Sequence, residues 1–335
     1  LQSADARGNS MSERLQARTI PQASMHFQNR KIVKLIHAYN LIDLSLFQLI
    51  CYNLLDFIYG REIFMNGLRS VTLWTYDLKE TESFYKNILG LNTLMNHDTN
   101  ILHIGDANIA PGTRLIFKQY QGDQEKIDSH FHGIALRVPT DLALYEYKQQ
   151  FDKHEVAYES VQQLNGKNLF KFHDNNGHAF HIISDELNSG VPLGTAYDDG
   201  PISPIHQIQG IGPVMIKSPE TQATGSLLKN IFELQLFAEY KTIDDESALV
   251  FKVGAGGNGG ELHLIDYPKA IVSLNPPIER VAISIDDIEH FENIVNHVKE
   301  IEMEHHIIQH EAGLISLFIR DLTGIIITIT FDTVN

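Results

Sequence analysis

Cysteine is almost absent from this chain, which has a single one, Cys51, among its 335 residues. One thiol excludes an internal disulfide framework, and this scarcity fits a protein of the reducing cytoplasm. Basic residues are also scarce, because 26 Lys and Arg stand against 42 Asp and Glu, which gives a net charge of −16. An acidic chain of this kind repels nucleic acid and anionic membranes, so we expect neither as a partner.

A convincing membrane or targeting segment is missing as well. The longest apolar stretch, residues 31–59, contains Asp43 and Asp56, and each would be unfavourable by about 3 kcal/mol at membrane depth. No small-residue cleavage site follows the stretch, which argues against a signal peptide. Residues 1–64 are therefore interpreted as an N-terminal extension whose amphipathic helix packs on the body or on a partner.

A second hypothesis for residues 1–64 is that they are not native and that translation starts at Met65. The stretch "GREIFMNG" can be back-translated into a purine-rich ribosome-binding site before that methionine, as in a bacterial gene. The intact mass of the natively expressed protein distinguishes the two interpretations.

Four segments with the same layout follow from residue 66 onward. Each begins with an apolar strand, and these strands are residues 69–77, 132–140, 212–219 and 280–287. Each strand ends at a residue suited to cap a helix, namely Asp77, Thr140, Ser218 and Asp286. A helix of about three turns comes next, and then apolar strands, the last of which follows a glycine. These closing strands are residues 113–120, 178–184, 261–267 and 325–331.

The repeat predicts an α+β fold of four βαβββ modules. Residues 185–208 are rich in Gly, Pro and Asp, as is typical of a linker. We therefore expect two domains, one over residues 65–190 with the first two modules and one over residues 205–335 with the last two. A chain of 335 residues is long enough for both to have a core.

The pattern resembles the vicinal oxygen chelate superfamily, which includes glyoxalases, bleomycin-resistance proteins and extradiol dioxygenases. The resemblance lies in "SVTLWTYDLKETESFYKNILGLNTL", "FHDNNGHAFHI" and "IQGIGPVMIKSPETQATGSLLKNIFELQL". The four-module layout is most similar to two-domain bacterial ring-cleaving dioxygenases. This resemblance implies that paired modules curl their strands into cups, into which metal ligands project.

In the resembled dioxygenases, the ligands are a His on the first strand of module one, a His on the first strand of module four and a Glu on the last strand of module four. The matching positions here hold Ser70, Arg280 and Thr328. They do not form a metal-ligand set, and Arg280 would repel a cation. The resemblance therefore implies that the expected iron site is missing from this cup.

The other cup, from modules two and three, has histidines at both last-strand positions, His181 and His263. The first-strand positions are Gly133 and Pro213, which offer no ligating side chain. Glu261 lies two residues before His263, so both point to one face of the strand. We predict that His181, His263 and Glu261 bind a divalent metal (Fe, Mn or Zn), with Glu261 as third ligand or as general base. The alternative is that both histidines are structural or line a pocket.

A nearby pair, His130 and His132 in "SHFHG", is predicted to share one strand face at a solvated edge, with metal binding there as the alternative. Strand alternation would direct His132 away from the cup unless the register slips by one residue.

Two functions follow as hypotheses. The first is a cytoplasmic metal-dependent dioxygenase or glyoxalase-type lyase or isomerase, acting on a small vicinal-oxygen compound of the catechol, quinol or dicarbonyl type. The second is a metal-free protein that keeps the cup and binds an aromatic or quinone-like ligand. Exposed strand edges and paired modules make a homodimer a reasonable expectation. A shared metal requires the imidazoles of His181 and His263 to lie within about 4–5 Å, because metal–nitrogen bonds are about 2.1 Å long.

Overall fold

The structure is a computed structural model that describes residues 65–122, 129–242, 244–269, 278–310, 313–321 and 324–332. The predictions about residues 1–64 lie outside these ranges. The described residues belong to one compact unit. Within them, no helix has both the length and the apolarity needed to cross a membrane.

Four consecutive βαβββ modules are present, as predicted. The first contains β1 (Met65–Thr75), α1 (Leu78–Asn87), β2 (Asn92–Asn96), β3 (Ile101–Gly105) and β4 (Arg114–Gln119). The second contains β5 (Phe131–Val138), α2 (Asp141–Lys153), β6 (Gln162–Leu164), β7 (Lys167–His173) and β8 (Ala179–Ser184). The third contains β9 (Gly210–Ser218), α3 (Thr221–Asn230), β10 (Gln235–Lys241), β11 (Ser247–Lys252) and β12 (Glu261–Asp266). The fourth contains β13 (Arg280–Ile285), α4 (Ile288–Glu300), β14 (His305–Gln309), β15 (Leu314–Arg320) and β16 (Ile326–Asp332).

The strands form two eight-stranded sheets. Sheet 1 has the order β14-β15-β16-β13-β1-β4-β3-β2, and sheet 2 has the order β10-β11-β12-β9-β5-β8-β7-β6. Modules one and four therefore share sheet 1, whereas modules two and three share sheet 2, joined by the antiparallel pairs β1–β13 and β5–β9. Each sheet takes one module from each half of the chain, and the division into domains at residues 190 and 205 stays a prediction.

Side chains alternate along each strand between two faces of the sheet, one packed in the hydrophobic core and one on the opposite side. On β1, Val71 and Leu73 are fully buried in the hydrophobic core, whereas Ser70 and Thr72 point to the other face. The four helices of the described ranges contribute apolar side chains to the same core, and none of them covers the other face of either sheet. We call the helix-free faces of sheets 1 and 2 cup 1 and cup 2.

The helix starts agree with the predicted caps in two modules of four. Asp77 accepts hydrogen bonds from two backbone N–H groups in the first turn of α1, and Thr140 is the N-cap of α2. Ser218 was the wrong cap for α3, which begins after Glu220; the Ser218 hydroxyl instead accepts from the Glu220 N–H. Asp286 was also wrong, because Asp287 caps α4. In both cases the strand runs into a short turn before the helix begins.

The predicted linker contains no helix or strand between residues 185 and 209. A buried arginine of β5, Arg137, holds its start. Nη2 of Arg137 lies 2.5 Å from Oδ2 of Asp185 and donates a hydrogen bond of 2.7 Å to the carbonyl oxygen of Val191. Because the guanidinium is 1% exposed, this ion pair fixes the linker against sheet 2.

Candidate functional site

The two predicted histidines lie on the same face of sheet 2 but not side by side. His263 on β12 pairs with Met215 on β9, and Met215 pairs with Gly133 on β5. A Cβ atom added to Gly133 would lie 3.0 Å from Nε2 of His181 on β8. Three interstrand spacings of roughly 4.8 Å therefore separate the backbones of β12 and β8, about 14 Å along the sheet. The curl of the sheet brings the two rings closer than that, because the charge of His263 contributes to lowering the pKa of His181.

His263 is hydrogen-bonded at both ring nitrogens. The Tyr240 hydroxyl lies 2.9 Å from Nδ1, and Oε2 of Glu261 lies 3.1 Å from Nε2. Burial acts to raise the pKa of Glu261, but the hydrogen bond from His263 and the charge of Lys167 outweigh it and lower that pKa. With an ionised carboxylate accepting at Nε2, the neutral ring carries its hydrogen there, and Nδ1 accepts from Tyr240.

This hydrogen-bonded group borders a small cavity of about 210 Å³ in cup 2. Leu164 of edge strand β6 and Phe237 of the opposite edge strand β10 both line it, together with Glu261 and His263. Sheet 2 is therefore curled enough to bring its two edges around one space. Most of the remaining lining side chains are apolar, as expected for a site that takes a small organic molecule.

His181 is buried differently from His263. His181 is only 3% exposed, and its Nδ1 has no hydrogen-bond partner among the described residues. Burial, followed by the charge of Lys171 on β7 and the neighbouring imidazoles, lowers the pKa of His181 to about 3. The ring is therefore neutral at physiological pH.

A β-bulge provides the register slip that His132 needed. The pairing of β5 with β9 shifts between Phe131 and Gly133, so His132 is the extra residue. Its Nε2 lies 2.9 Å from Oε2 of Glu246, which directly precedes β11. The predicted solvated edge is wrong, because β5 lies inside sheet 2 and His130 is buried, with Nδ1 2.9 Å from Oε2 of Glu279. That His130 shares a face with His132 stays a prediction.

His132 forms the one group of three metal-type ligands found among the described residues. One ligand atom each from His132, Asp244 and Glu246 lies within 4.8 Å of the others. The group does not include His181, His263 or Glu261, whose joint role as ligands stays a prediction. Sequence reasoning missed Asp244 and Glu246 because they lie in the turn between β10 and β11. The acidic run "DDE" at residues 244–246 was the available signal.

The positions where the resemblance places the dioxygenase ligands come together in cup 1. Ser70 pairs with Ala282, and Ala282 pairs with Thr328, while Arg280 lies two residues before Ala282 on the same strand. Burial lowers the pKa of Arg280, and its Nε and the Thr328 hydroxyl are both buried with no hydrogen-bond partner in the part of the chain that the structure describes. A guanidinium with two neutral hydroxyls does not fit a divalent cation.

Comparisons with known proteins agree with this architecture. No protein-family model matches the chain. The chain is 26% identical over 293 residues to the Bacillus subtilis protein named ring-cleaving dioxygenase MhqA, a match that covers 80% of this chain and 87% of the relative. It is 23% identical over 219 residues to ring-cleaving dioxygenase MhqO of the same organism, covering 60% and 69%.

Solved structures show the same fold. A Bacillus subtilis protein described as a dioxygenase superposes with a TM-score of 0.65 at 20% identity, covering 81% of this chain and 86% of that one. Glyoxalase I from Zea mays superposes with a TM-score of 0.53 at 15% identity, covering 80% and 92%. With its four βαβββ modules in two curled sheets, the chain has the vicinal oxygen chelate fold and is similar in sequence to ring-cleaving dioxygenases.

Proposed function

We propose that this protein is an enzyme of the glyoxalase/dioxygenase type that acts in cup 2 on a small vicinal-oxygen compound, such as a catechol, quinol or dicarbonyl, with a divalent metal. The names of its relatives support the general class. The observation that carries the proposal is the hydrogen-bonded group of Tyr240, His263 and Glu261 beside a small cavity.

This group is built for proton transfer. A substrate hydroxyl or acidic C–H that displaces the Tyr240 hydroxyl would meet Nδ1 of His263, the nitrogen that carries a lone pair. Glu261, held ionised by its surroundings, orients the ring through Nε2 and stabilises the imidazolium that forms. Compounds with two adjacent oxygens need such a base, because they react as their anions.

The residues of cup 2 that fit a divalent metal best are His132, Asp244 and Glu246. One imidazole and two carboxylates suit Fe(II) or Mn(II), whereas zinc favours sites with more nitrogen or sulfur. When bound, such a metal supplies Lewis-acid polarisation of the substrate oxygens. Ligation by the predicted set with His181 remains the alternative, and it requires His263 to release one of its two hydrogen bonds.

Metal analysis tests the ligand assignment. We expect protein purified without chelator to contain Fe, Mn or Zn in stoichiometric amount, and His132→Ala and Glu246→Gln to lose it. His97→Ala, which changes an exposed histidine, is the matched control and should retain the metal. If only His181→Ala lost the metal, the ligands would be the set predicted from sequence, with His181. Metal-free wild-type protein would refute the metal-dependent proposal.

Activity separates proton transfer from metal binding. We expect dioxygen uptake with a catechol, or isomerisation of a dicarbonyl adduct, and a loss of about 100- to 10,000-fold in His263→Gln with the metal content unchanged. An active His263→Gln variant would remove the base from the mechanism.

A second function is favoured by one observation, the replacement of the resembled ligand set by Ser70, Arg280 and Thr328. A metal-free binding protein would keep the cups and use them to hold an aromatic or quinone-like compound. Metal-free protein whose melting temperature rises with such a ligand supports this function.

We also propose a homodimer. Edge strand β10 exposes Leu236 and Phe237, and unpaired edges with apolar side chains favour association. Sedimentation of the wild-type chain as a monomer at micromolar concentration would contradict it.

A further inference from the structure

Cup 1 gathers cationic side chains on one face. Arg114 and Lys118 on β4 pair with Ser70 and Trp74 on β1, and Arg280 lies on β13. No carboxylate among the described residues forms an ion pair with Lys118 or Arg280. Burial lowers the pKa of each, and the charge of Arg280 lowers that of Lys118 further. Two partly buried cations therefore face one space without a counter-ion from the described part of the chain.

Hydrogen-bonding groups in the same place lack partners. Trp74 Nε1, Arg280 Nε and Thr328 Oγ1 are all buried without a hydrogen-bond partner among the described residues. Arg280 lies between the other two in the sheet, because it pairs with Thr72, two residues before Trp74. Thr328 pairs with the residue two places after Arg280. Buried polar atoms in proteins are nearly always hydrogen-bonded, so three unpaired donors together indicate a place for an acceptor.

The walls of this space are aromatic. The guanidinium carbon of Arg280 lies 5.3 Å from the ring centroid of Phe318, and the ring of Trp74 packs edge-on against Tyr76 at 4.9 Å. Flat rings beside cations and donors suit a planar ligand with a negative charge.

We propose that cup 1 binds a small aromatic anion, a carboxylate or a phenolate, through Arg280 and Lys118, with Trp74 and Thr328 as further hydrogen-bond donors. The guanidinium takes the place where the resembled dioxygenases would bind a metal. A cation there neutralises the ligand oxygens without a metal ion, and cup 1 holds the ligand rather than transforming it. The site is independent of any metal or activity in cup 2.

The single tryptophan makes this site directly observable, because Trp74 is the only one in the chain. Benzoate added to the full-length protein should change the tryptophan fluorescence saturably, whereas benzamide, its neutral counterpart, should not. Arg280→Met and Lys118→Met remove the charges but keep the length of the side chains. Each should weaken benzoate binding about tenfold or more, because charge-assisted hydrogen bonds are the strong ones. Lys86→Met, exposed on α1, should leave the affinity unchanged.

Equal fluorescence responses to benzoate and benzamide would overturn the proposal. So would a benzoate affinity that neither charge-removing variant changes. The two variants are independent, so a failure of Arg280→Met to fold leaves Lys118→Met as the test. Chelator treatment should not alter benzoate affinity, and this arm separates a failure of the metal proposal for cup 2 from a failure of the anion site.

Discussion

Acidification should destabilise the fold through one residue, His181. It is 3% exposed, and its pKa is lowered to about 3 by burial and by the charge of Lys171. In the unfolded chain a histidine has a pKa of roughly 6.5. Between these values the unfolded state binds a proton that the folded state does not. The buried neutral His181 therefore contributes its full stabilisation above about pH 6.5, and the free energy of unfolding decreases as the pH falls from there towards 3.

The magnitude follows from the size of this window. One pKa unit corresponds to about 1.36 kcal/mol, so a lowering of roughly 3.5 units amounts to about 5 kcal/mol at pH 3. The range from pH 6.5 to pH 5 spans roughly 1.5 units, or about 2 kcal/mol. We expect that smaller amount to be measurable, because the ordinary carboxylates of the chain scarcely titrate above pH 5.

Urea unfolding of the wild type and of His181→Gln at pH 7 and pH 5 measures this contribution. The glutamine keeps a polar side chain but cannot titrate. The free energy of unfolding of the wild type, minus that of the variant, should fall by about 2 kcal/mol on acidification. Other titrating groups cancel in the difference, among them His178, whose pKa Asp174 raises against the opposing effect of burial. His97→Gln at an exposed position should show no such change, and a pH-independent difference for His181→Gln would refute the reasoning.

Three further predictions concern a close contact in sheet 2, the anchor of the linker and the start of α4. Gly133→Ala places a methyl group 3.0 Å from His181 and should lower the free energy of unfolding by about 1–3 kcal/mol. In urea unfolding, the effects of Gly133→Ala and His181→Ala should not add in the double variant. Strict additivity would contradict the contact. Asp185→Ala leaves the buried guanidinium of Arg137 without its counter-ion and should lower the free energy of unfolding by about 3–5 kcal/mol. A loss of less than about 1 kcal/mol would exclude this ion pair as the anchor of the linker. In thermal unfolding, Asp287→Ala should destabilise the protein by about 1 kcal/mol, because it removes the N-cap of α4, and Asp286→Ala should destabilise it by much less. The reverse order would show that Asp286, the residue predicted from sequence, is the cap.

Elements with strong local patterns were predictable from the sequence. In α4, Phe291, Ile294, Val295 and Val298 recur at helical spacing, and all four are buried in the structure. The closing strands also lie within a residue or two of their predicted bounds, because a glycine turn and an alternating apolar run specify a strand locally. Helix starts were less predictable, since two adjacent residues such as Asp286 and Asp287 can both cap.

The candidate site was predictable only in part. The sequence placed His181 and His263 at equivalent positions on two strands, and both lie on the same face of sheet 2. Alternation could not show that Met215 and Gly133 lie between them, nor that a bulge would turn His132 towards Glu246. A bulge changes the register by one residue, and its position depends on how the partner strand pairs.

The sequence by itself determined the four modules with their strands and helices, because these depend on residue types and on contacts between residues close in the chain. It also placed Ser70, Arg280 and Thr328 where the resemblance implies metal ligands. The tertiary structure decided which side chains meet. Thr72 pairs with Arg280 across more than half of the chain, and Asp244 reaches His132 only because sheet 2 curls. Such contacts arise from the closure of strands that are distant in sequence, and short-range periodicity carries no information about them.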